Sequence, residues 1–416
     1  MSSRRNFMKQ IVAGAAGLTA SRAFASSRIL GANDRVRVGL IGAGSRGQEI
    51  LRTAMSCPNT EVISVADIYA RRFDEVKAFA PQAKTFTDFR KLLDDSSLNA
   101  VLIATPQHQH ALNFVPAIQA GKDVYQEKTM AFNVDHAKRM RTAYAGSNRV
   151  VQIGIQSTST AAWQRAHELA KPELLGTITA LHAHMYRNAP YGGWDRPIPS
   201  DCTPERVDWK QFQGEAEPRP FDADRFIHWR YYWEYGGANV YENMIHQVGF
   251  WYKALNLQIP RSVSMSGGNY LSPKMHVPDT MDVAMDQPEN LLFTWNSGFY
   301  NVHNGISEQL LGTKGTIARQ QDNDEAKEVS YIPEGEQSKS KTAEAPVKKE
   351  ATPDVVGVGD STDAHMKNFI ECVRSRKEPN CPFEIGFRSA IAARMALTSF
   401  REGRRVYWDA ESQEII

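Results

Sequence analysis

Cysteine is scarce: Cys57, Cys202, Cys372 and Cys381 are the only four in 416 residues. They are too few and too scattered for a disulfide framework. None forms a C-x-x-C pair of the zinc-binding kind, and a Cys372–Cys381 bridge is left open. An excess of charge of one sign is also missing, with 49 Lys and Arg against 47 Asp and Glu. Without Arg4, Arg5, Lys9 and Arg22 of the N-terminal segment the balance is 45 against 47. A surface that neutralises nucleic-acid phosphates is not expected from that composition. No apolar run is long enough for a bilayer of about 30 Å. His108, His182, His184 and His228 show no ligand spacing with a supporting carboxylate, so no metal site is expected. What remains, with 42% hydrophobic and 23% charged residues, is an ordinary soluble globular chain. At roughly 150 residues per domain, two or three domains would each bury a core of their own.

The first residues carry an order of their own. Ser3-Arg4-Arg5-Asn6-Phe7-Met8-Lys9 precedes the apolar stretch Ile11 to Ala20, and Ala23-Phe24-Ala25 supplies small residues at a cleavage site. Basic, apolar and small-residue segments in that order predict an export signal cut after Ala25, hence a periplasmic mature protein without a stable membrane anchor. The paired arginines resemble a twin-arginine signal, whose machinery exports folded proteins that often already hold a cofactor. Residues 1–33 are therefore assigned to signal and linker.

From residue 34 to 153 the pattern is that of a dinucleotide-binding domain. The β-branched run Val36 to Ile41 leads directly into Gly42-Ala43-Gly44-Ser45-Arg46-Gly47, and a helix-like stretch follows. A second apolar strand, Val62 to Ala66, ends at Asp67. A glycine-rich structural turn with a capping aspartate accounts for each element separately, but not for their spacing. Gly42 permits the tight turn, Gly44 lets the backbone approach a pyrophosphate, and Gly47 lets the helix pack on the strand. The helix N-terminus then offers unpaired N–H groups to the phosphates. Asp67 would accept from a ribose 2′-hydroxyl and repel a 2′-phosphate, which favours NAD over NADP; Arg71 and Arg72 nearby soften that preference. Strands at Ala100 to Ala104, Val124 to Gln126 and Val150 to Ile153 alternate with helical stretches, which implies a doubly wound parallel sheet. Ligands bind at the carboxyl ends of such strands. The segments Thr105-Pro106-Gln107-His108-Gln109-His110 and Glu127-Lys128-Thr129 both point into that crevice. The cofactor candidates are thus Gly42, Gly44, Ser45, Arg46, Gly47, Asp67, Thr105, Pro106, His110, Glu127 and Lys128.

At these residues the chain resembles a known family. Ala104-Thr105-Pro106, His110, Ala120-Gly121-Lys122, Val124 and Glu127-Lys128 are similar to motifs of the glucose-fructose oxidoreductase, inositol dehydrogenase and rhizopine-catabolism family, Gfo/Idh/MocA. Gly236-Gly237-Ala238 with Glu242 and His246, and the Gly312-Thr313-Lys314-Gly315 hairpin, extend the resemblance over residues 34–416. Thr129 stands where the family usually has Pro after Glu-Lys, and Glu242 where it usually has Asp. The resemblance implies a second, α+β domain over 154–416 built on an open, mostly antiparallel sheet, one face of which supports homo-oligomer contacts in the family. Alternating stretches at Ile178 to Met185, Arg261 to Met265, Asp282 to Met285, Leu291 to Trp295 and Phe299 to Val302 read as its strands. Residues 320–360, rich in Lys, Glu, Ser, Pro and Ala, read as a solvated insert. Helical spacing over residues 363–403 predicts helices that pack back on the first domain.

Glu242 and His246 are four apart, so on an α-helix they share a face. Such a pair alone is a helix salt bridge worth about 0.3–0.5 kcal/mol. Beside Lys128 and a dinucleotide site it reads instead as a catalytic set. His246 would take a proton, Glu242 would orient the imidazole, and Lys128 would polarise the reacting oxygen while hydride passes to NAD. In the aromatic and basic run Asp222 to Tyr235, the residues Arg225, Trp229, Arg230 and Tyr235 are candidate contacts for a polyhydroxylated ring. The expected activity is oxidation of a ring hydroxyl of a sugar, cyclitol or derivative, or reduction of the matching ketone. Outside the cytoplasm little free NAD would replace a spent cofactor, so it should stay tightly bound. A redox-neutral NAD-dependent glycoside hydrolase, working by oxidation, elimination, water addition and reduction, is the alternative. A sensor that merely holds NAD would need neither Lys128 nor His246.

Overall fold

Strand β1 (Val36–Ile41) buries every residue but Arg37, as a parallel strand covered on both faces must. In the computed structural model, which describes residues 35–322, 325–335 and 361–416, it is central to a six-stranded sheet. Its companions are β2 (Thr60–Ala66), β3 (Lys84–Phe86), β4 (Ala100–Ile103), β5 (Asp123–Glu127) and β6 (Val151–Gly154). The order is β3-β2-β1-β4-β5-β6 and all pairings are parallel. The order reverses between β1 and β4, which opens a crevice at their carboxyl ends. Helices α1 (Ser45–Ser56), α2 (Arg71–Lys77), α3 (Phe89–Leu93), α4 (His110–Gln119) and α5 (Val134–Tyr144) connect the strands. The Asn133 side chain caps α5 by accepting from the His136 amide at 2.8 Å.

After α6 (Ala161–Leu169) the chain enters a nine-stranded mixed sheet. Its strands are β7 (Ile178–Tyr186), β8 (Ser262–Gly268), β9 (Thr280–Asp286), β10 (Leu292–Gly298), β11 (Ile306–Gly312), β12 (Gly315–Asp322), β13 (Glu325–Pro333), β14 (Val406–Asp409) and β15 (Glu414–Ile415). They run β13-β12-β11-β7-β10-β9-β8-β14-β15, antiparallel except where β7 and β10 lie parallel. Gly312 ends β11 and Gly315 begins β12, so the G-T-K-G segment is a hairpin.

Two sequence expectations change here, and one open question closes. Phe299 to Val302 is not a strand: β10 stops at Gly298, and Tyr300 forms only an isolated bridge to Asn188. Within the expected insert, residues 325–333 form β13 on the edge of the sheet, where Val329 is buried and the Tyr331 hydroxyl donates to the Leu174 carbonyl at 2.9 Å. Residues 323–324 and 336–360, like residues 1–34 over which an export signal and linker are expected, lie outside the described residues. Cys372 and Cys381 are not bridged; all four cysteines are free and buried.

Helix α7 (Ile245–Leu255) packs against α9 (Phe383–Glu402), which lies along β8 and also reaches α5 and β6 of the first domain. Helix α8 (Ser361–Ser375) goes further. Its Met366, Phe369, Ile370 and Val373 join Val38, Leu40, Ile50 and Leu102 in one buried cluster, so the C-terminal region covers a face of the N-terminal sheet. The two domains share core, and a cavity forms where the ends of the first sheet meet the second domain. No helix of the described residues is long and apolar enough to cross a membrane.

Candidate active site

The fingerprint turn has the geometry its residues predict. Gly42 has φ +90°, and a Cβ there would lie 2.8 Å from the Thr105 amide nitrogen. A Cβ on Gly47 would lie 1.9 Å from the Gly42 carbonyl oxygen, so only glycine lets α1 start this close to β1. A Cβ on Gly44 would meet nothing within 4 Å, so there the cavity approaches bare backbone. Asp67 at the end of β2 accepts from the amides of Ala43 at 2.6 Å and Tyr69 at 2.8 Å, which ties the glycine turn to the second strand. Burial pushes its carboxyl up, against those amides and the charge of Arg72.

The cavity, about 380 Å³, runs from this turn to the opposite domain. Gly42, Gly44, Ser45, Arg46, Asp67, Thr105, Pro106, Gln107, Glu127 and Lys128 of the first domain line it, with Trp194, Arg196, Trp229, Arg230 and Glu242 of the second. Open glycine backbone, a helix N-terminus and an aspartate at the second strand's end are the donor and acceptor set that a dinucleotide requires, so the residues present fit that cofactor. Glu127 is buried beneath the cavity and accepts from Arg46 Nε at 2.9 Å and Gln156 Nε2 at 3.2 Å. His110 does not reach the cavity. Its ring nitrogens lie 2.6 Å from the Thr129 carbonyl and 2.9 Å from the Thr105 carbonyl, so it locks the two catalytic-edge loops together instead of touching a ligand.

At the far end Lys128 Nζ lies 2.7 Å from Glu242 Oε2 and 3.0 Å from the Glu242 carbonyl. Gln107 Nε2 donates to Glu242 Oε1 at 2.7 Å, and Arg230 Nε is 3.1 Å from the same oxygen. Burial alone would raise the Glu242 pKa, but the charges of Arg230 and Lys128 outweigh it and hold it at about 2. This corrects the expected role of Glu242. Its oxygens are taken by Lys128, Arg230 and Gln107, and no hydrogen bond joins it to His246 among the described residues. Glu242 lies in a turn of π-helix at Val240–Met244, directly before α7. The Glu242 carboxylate is turned to Lys128, Gln107 and Arg230, and it acts on His246 only through its charge, which by itself raises the imidazole pKa. His246 is not among the cavity-lining residues. Burial first, then the charges of Lys128 and Arg46, push its pKa down to about 3.

The proposed ring contacts divide. Trp229 and Arg230 line the cavity, with the Arg230 guanidinium 4.2 Å from the Trp229 ring centroid. Tyr235 does not: it is wholly buried, its ring 4.9 Å from those of both His108 and Phe212. Arg225 is absorbed by protein partners, with Glu234 at 3.2 Å, Asp222 at 3.5 Å and the Tyr232 ring at 4.1 Å. A turn of 3₁₀-helix at Trp229–Tyr231 presents residues 229 and 230 to the cavity while Tyr231 and Tyr235 face the core. Sequence reasoning missed Gln107, Trp194 and Arg196. Gln107 lay within a quoted segment, and its Oε1 is buried without a partner. The loop carrying Trp194 and Arg196 has no motif to mark it. Among the described residues no group of three or more His, Cys, Asp or Glu is placed to hold a metal ion.

Known proteins share both halves of this arrangement. Residues 36–155 match the model of the oxidoreductase family's NAD-binding Rossmann fold, and residues 211–407 match that of its C-terminal alpha/beta domain. An uncharacterized oxidoreductase of Streptococcus pneumoniae serotype 4 is 25% identical over 290 residues, 68% of each chain. An inositol 2-dehydrogenase of Saccharopolyspora erythraea is 33% identical over 155 residues, 37% of this chain and 45% of that one, so less than half of that relative's length is matched. Among solved structures, the WlbA dehydrogenase of Bordetella pertussis, in complex with NADH and UDP-GlcNAcA, has a TM-score of 0.66 at 19% identity and covers 90% of this chain and 99% of its own. Two domain models in the right order, over a cavity built from the matching residues, show that the chain belongs to the Gfo/Idh/MocA family of oxidoreductases and that its first domain is an NAD-binding Rossmann fold.

Proposed function

We propose that the protein oxidises a ring CH–OH group of a sugar, cyclitol or derivative with NAD, or reduces the matching ketone, and that it holds its cofactor tightly. The observation that carries this reading is the Lys128–Glu242 contact of 2.7 Å at the end of β5, in the same cavity as the fingerprint turn. When bound, NAD supplies a hydride acceptor. Gly44, Ser45 and the first turn of α1 would hold its phosphates, and Asp67 a ribose.

The remaining chemistry belongs to the chain. Lys128 donates to the alcohol oxygen and stabilises the negative charge that grows on it. Glu242, ionised well below neutral pH, keeps Lys128 aimed. With both oxygens occupied, Glu242 is not the proton acceptor. His246 is the neutral base left within the field of Lys128, and because it does not line the cavity the proton passes to it by way of a water. A depressed pKa keeps it unprotonated at working pH, at some cost in driving force. Trp229 offers a flat face to the C–H side of a ring, and Arg230 a fork for its hydroxyls. Export by the twin-arginine route, with cleavage after Ala25, is part of the proposal: a cofactor loaded before export would have to stay bound afterwards.

The test is to purify the mature protein, assay co-purifying NAD, and follow reduced-cofactor absorbance with inositols, free sugars and glycosides. Cofactor reduction by a polyol or sugar is expected, and Lys128→Met should abolish it while NAD still binds. An active Lys128→Met enzyme would refute the site. Glycoside cleavage with no net change in cofactor redox state would replace the dehydrogenase reading by the hydrolase.

A further inference from the structure

After β7 the chain leaves the second sheet and passes back over the first domain, bringing Arg196 to the phosphate end of the cavity. Arg196 Nη1 donates to the hydroxyl of Ser45 at 3.0 Å. Ser45 is the first residue of α1 and follows Gly44, whose open side faces the cavity. The backbone beneath Arg196 is fixed, although its side chain is exposed. His228, buried and stacked on Tyr231 with centroids 5.0 Å apart, places Nε2 2.8 Å from the Arg196 carbonyl and Nδ1 2.7 Å from Asp224 Oδ1.

The electrostatics of this placement are unfavourable as they stand. Partial burial first, then the cations Arg230 and Arg72, push the Arg196 guanidinium below its usual value, and among the described residues no carboxylate forms an ion pair with it. Arg72 and Arg230 each have an acid at hand, Glu75 at 2.8 Å and Glu242 at 3.1 Å; Arg196 has a neutral hydroxyl. The N-terminus of α1 adds its own positive end. A guanidinium fork, a helix N-terminus and bare glycine backbone converging on one point form a receptor for a doubly charged phosphate group.

We propose that Arg196 contacts the pyrophosphate of the bound dinucleotide, so that the cofactor is clasped between the glycine turn of the first domain and a loop of the second. This rests on NAD binding by the first domain. It goes beyond that binding by giving the second domain a share of the affinity and by making cofactor release wait on the loop around residue 196.

The full mature chain, freed of co-purifying NAD, is titrated calorimetrically with NAD, ADP and adenosine, as wild type, Arg196→Met and Arg196→Lys. Losing a charge-assisted hydrogen bond to an anion should weaken NAD and ADP by a common factor of about tenfold to a hundredfold. Adenosine binding should be unchanged, Arg196→Lys should recover part of the loss, and NAD should dissociate faster from Arg196→Met in stopped flow. NAD and ADP affinities that do not move, with a raised substrate KM, would overturn the proposal and assign Arg196 to the substrate. An equal loss for adenosine would also overturn it, as a general disturbance of the fold. A wild-type protein that binds neither NAD nor ADP would instead refute the cofactor reading beneath it.

Discussion

Glu242 is held by two cations and an amide, and the consequence is measurable as coupling. The carboxylate is buried, Lys128 is 15% exposed in its side chain, and their 2.7 Å contact is shielded from water. Removing one partner of such a pair leaves the other charge without compensation, a cost of about 3–5 kcal/mol when both are fully desolvated. Lys128→Met should fall below that range, at about 1–2 kcal/mol, because Arg230 and Gln107 continue to satisfy Glu242. Glu242→Gln should cost about 3 kcal/mol, because it leaves Lys128 and Arg230 as neighbouring cations with no anion between them. The double mutant should then be less destabilised than the two changes summed, by about 2 kcal/mol. His246 behaves differently. With a pKa of about 3 it is neutral at pH 7, so Glu242→Gln and His246→Ala should add to within about 0.5 kcal/mol. The assay is urea unfolding at pH 7 by tryptophan fluorescence, with far-ultraviolet circular dichroism as the second probe. Additivity between positions 128 and 242, or coupling above about 1 kcal/mol between 242 and 246, would restore the simple helical pair and refute the arrangement described.

Two further outcomes separate structure from ligand. Gly47→Ala places a methyl group 1.9 Å from a backbone oxygen that cannot yield, so it should lower the melting temperature and abolish NAD binding. Gly44→Ala, with nothing within 4 Å, should melt as wild type yet lose NAD affinity; the opposite pattern in melting and titration would refute the cavity's assignment to the cofactor. On the acid side, His108 is depressed to about 4 and His246 and His365 to about 3, all chiefly by burial. The unfolded chain therefore binds protons these groups refuse in the fold, and stability should be full above about pH 6.5 and fall as pH drops toward 4. The limiting slope is about 1.4 kcal/mol per pH unit for each histidine, and urea midpoints that stay flat from pH 7 to 4.5 would contradict it.

Legibility followed how local the determining geometry was. The glycine turn, the strand before it and Asp67 are tied by spacing in one short segment, and each glycine's role depends on its own backbone and immediate neighbours. The tight turn at Gly42 and the close packing at Gly47 could be read from sequence; that the packing partner is the Gly42 carbonyl could not. Trp229 and Arg230 do line the cavity, but Arg225 and Tyr235 in the same aromatic and basic run were not separable from them. What divides the four is one 3₁₀ turn and the ring cluster of His108, Phe212 and Tyr235, which is assembled from distant segments. Glu242 and His246 show the limit most clearly. Their spacing fits an α-helix, and the residues Val240 to Met244 give no composition cue that one turn will widen. The widening accompanies long-range bonds: the Tyr241 carbonyl accepts from Thr129 Oγ1 at 2.8 Å, and the Glu242 carbonyl from Lys128. The chain after β5 thus binds this turn through its backbone, and its position turns Glu242 toward Lys128. β13 was hidden for the reverse reason, since Lys and Glu within 325–328 read as solvated while an edge strand requires burial on only one side. Arg196 carried no signal at all, because its meaning lies in Ser45, 151 positions away. A guanidinium in an unmarked loop becomes informative only when the fold shows which backbone it overlies.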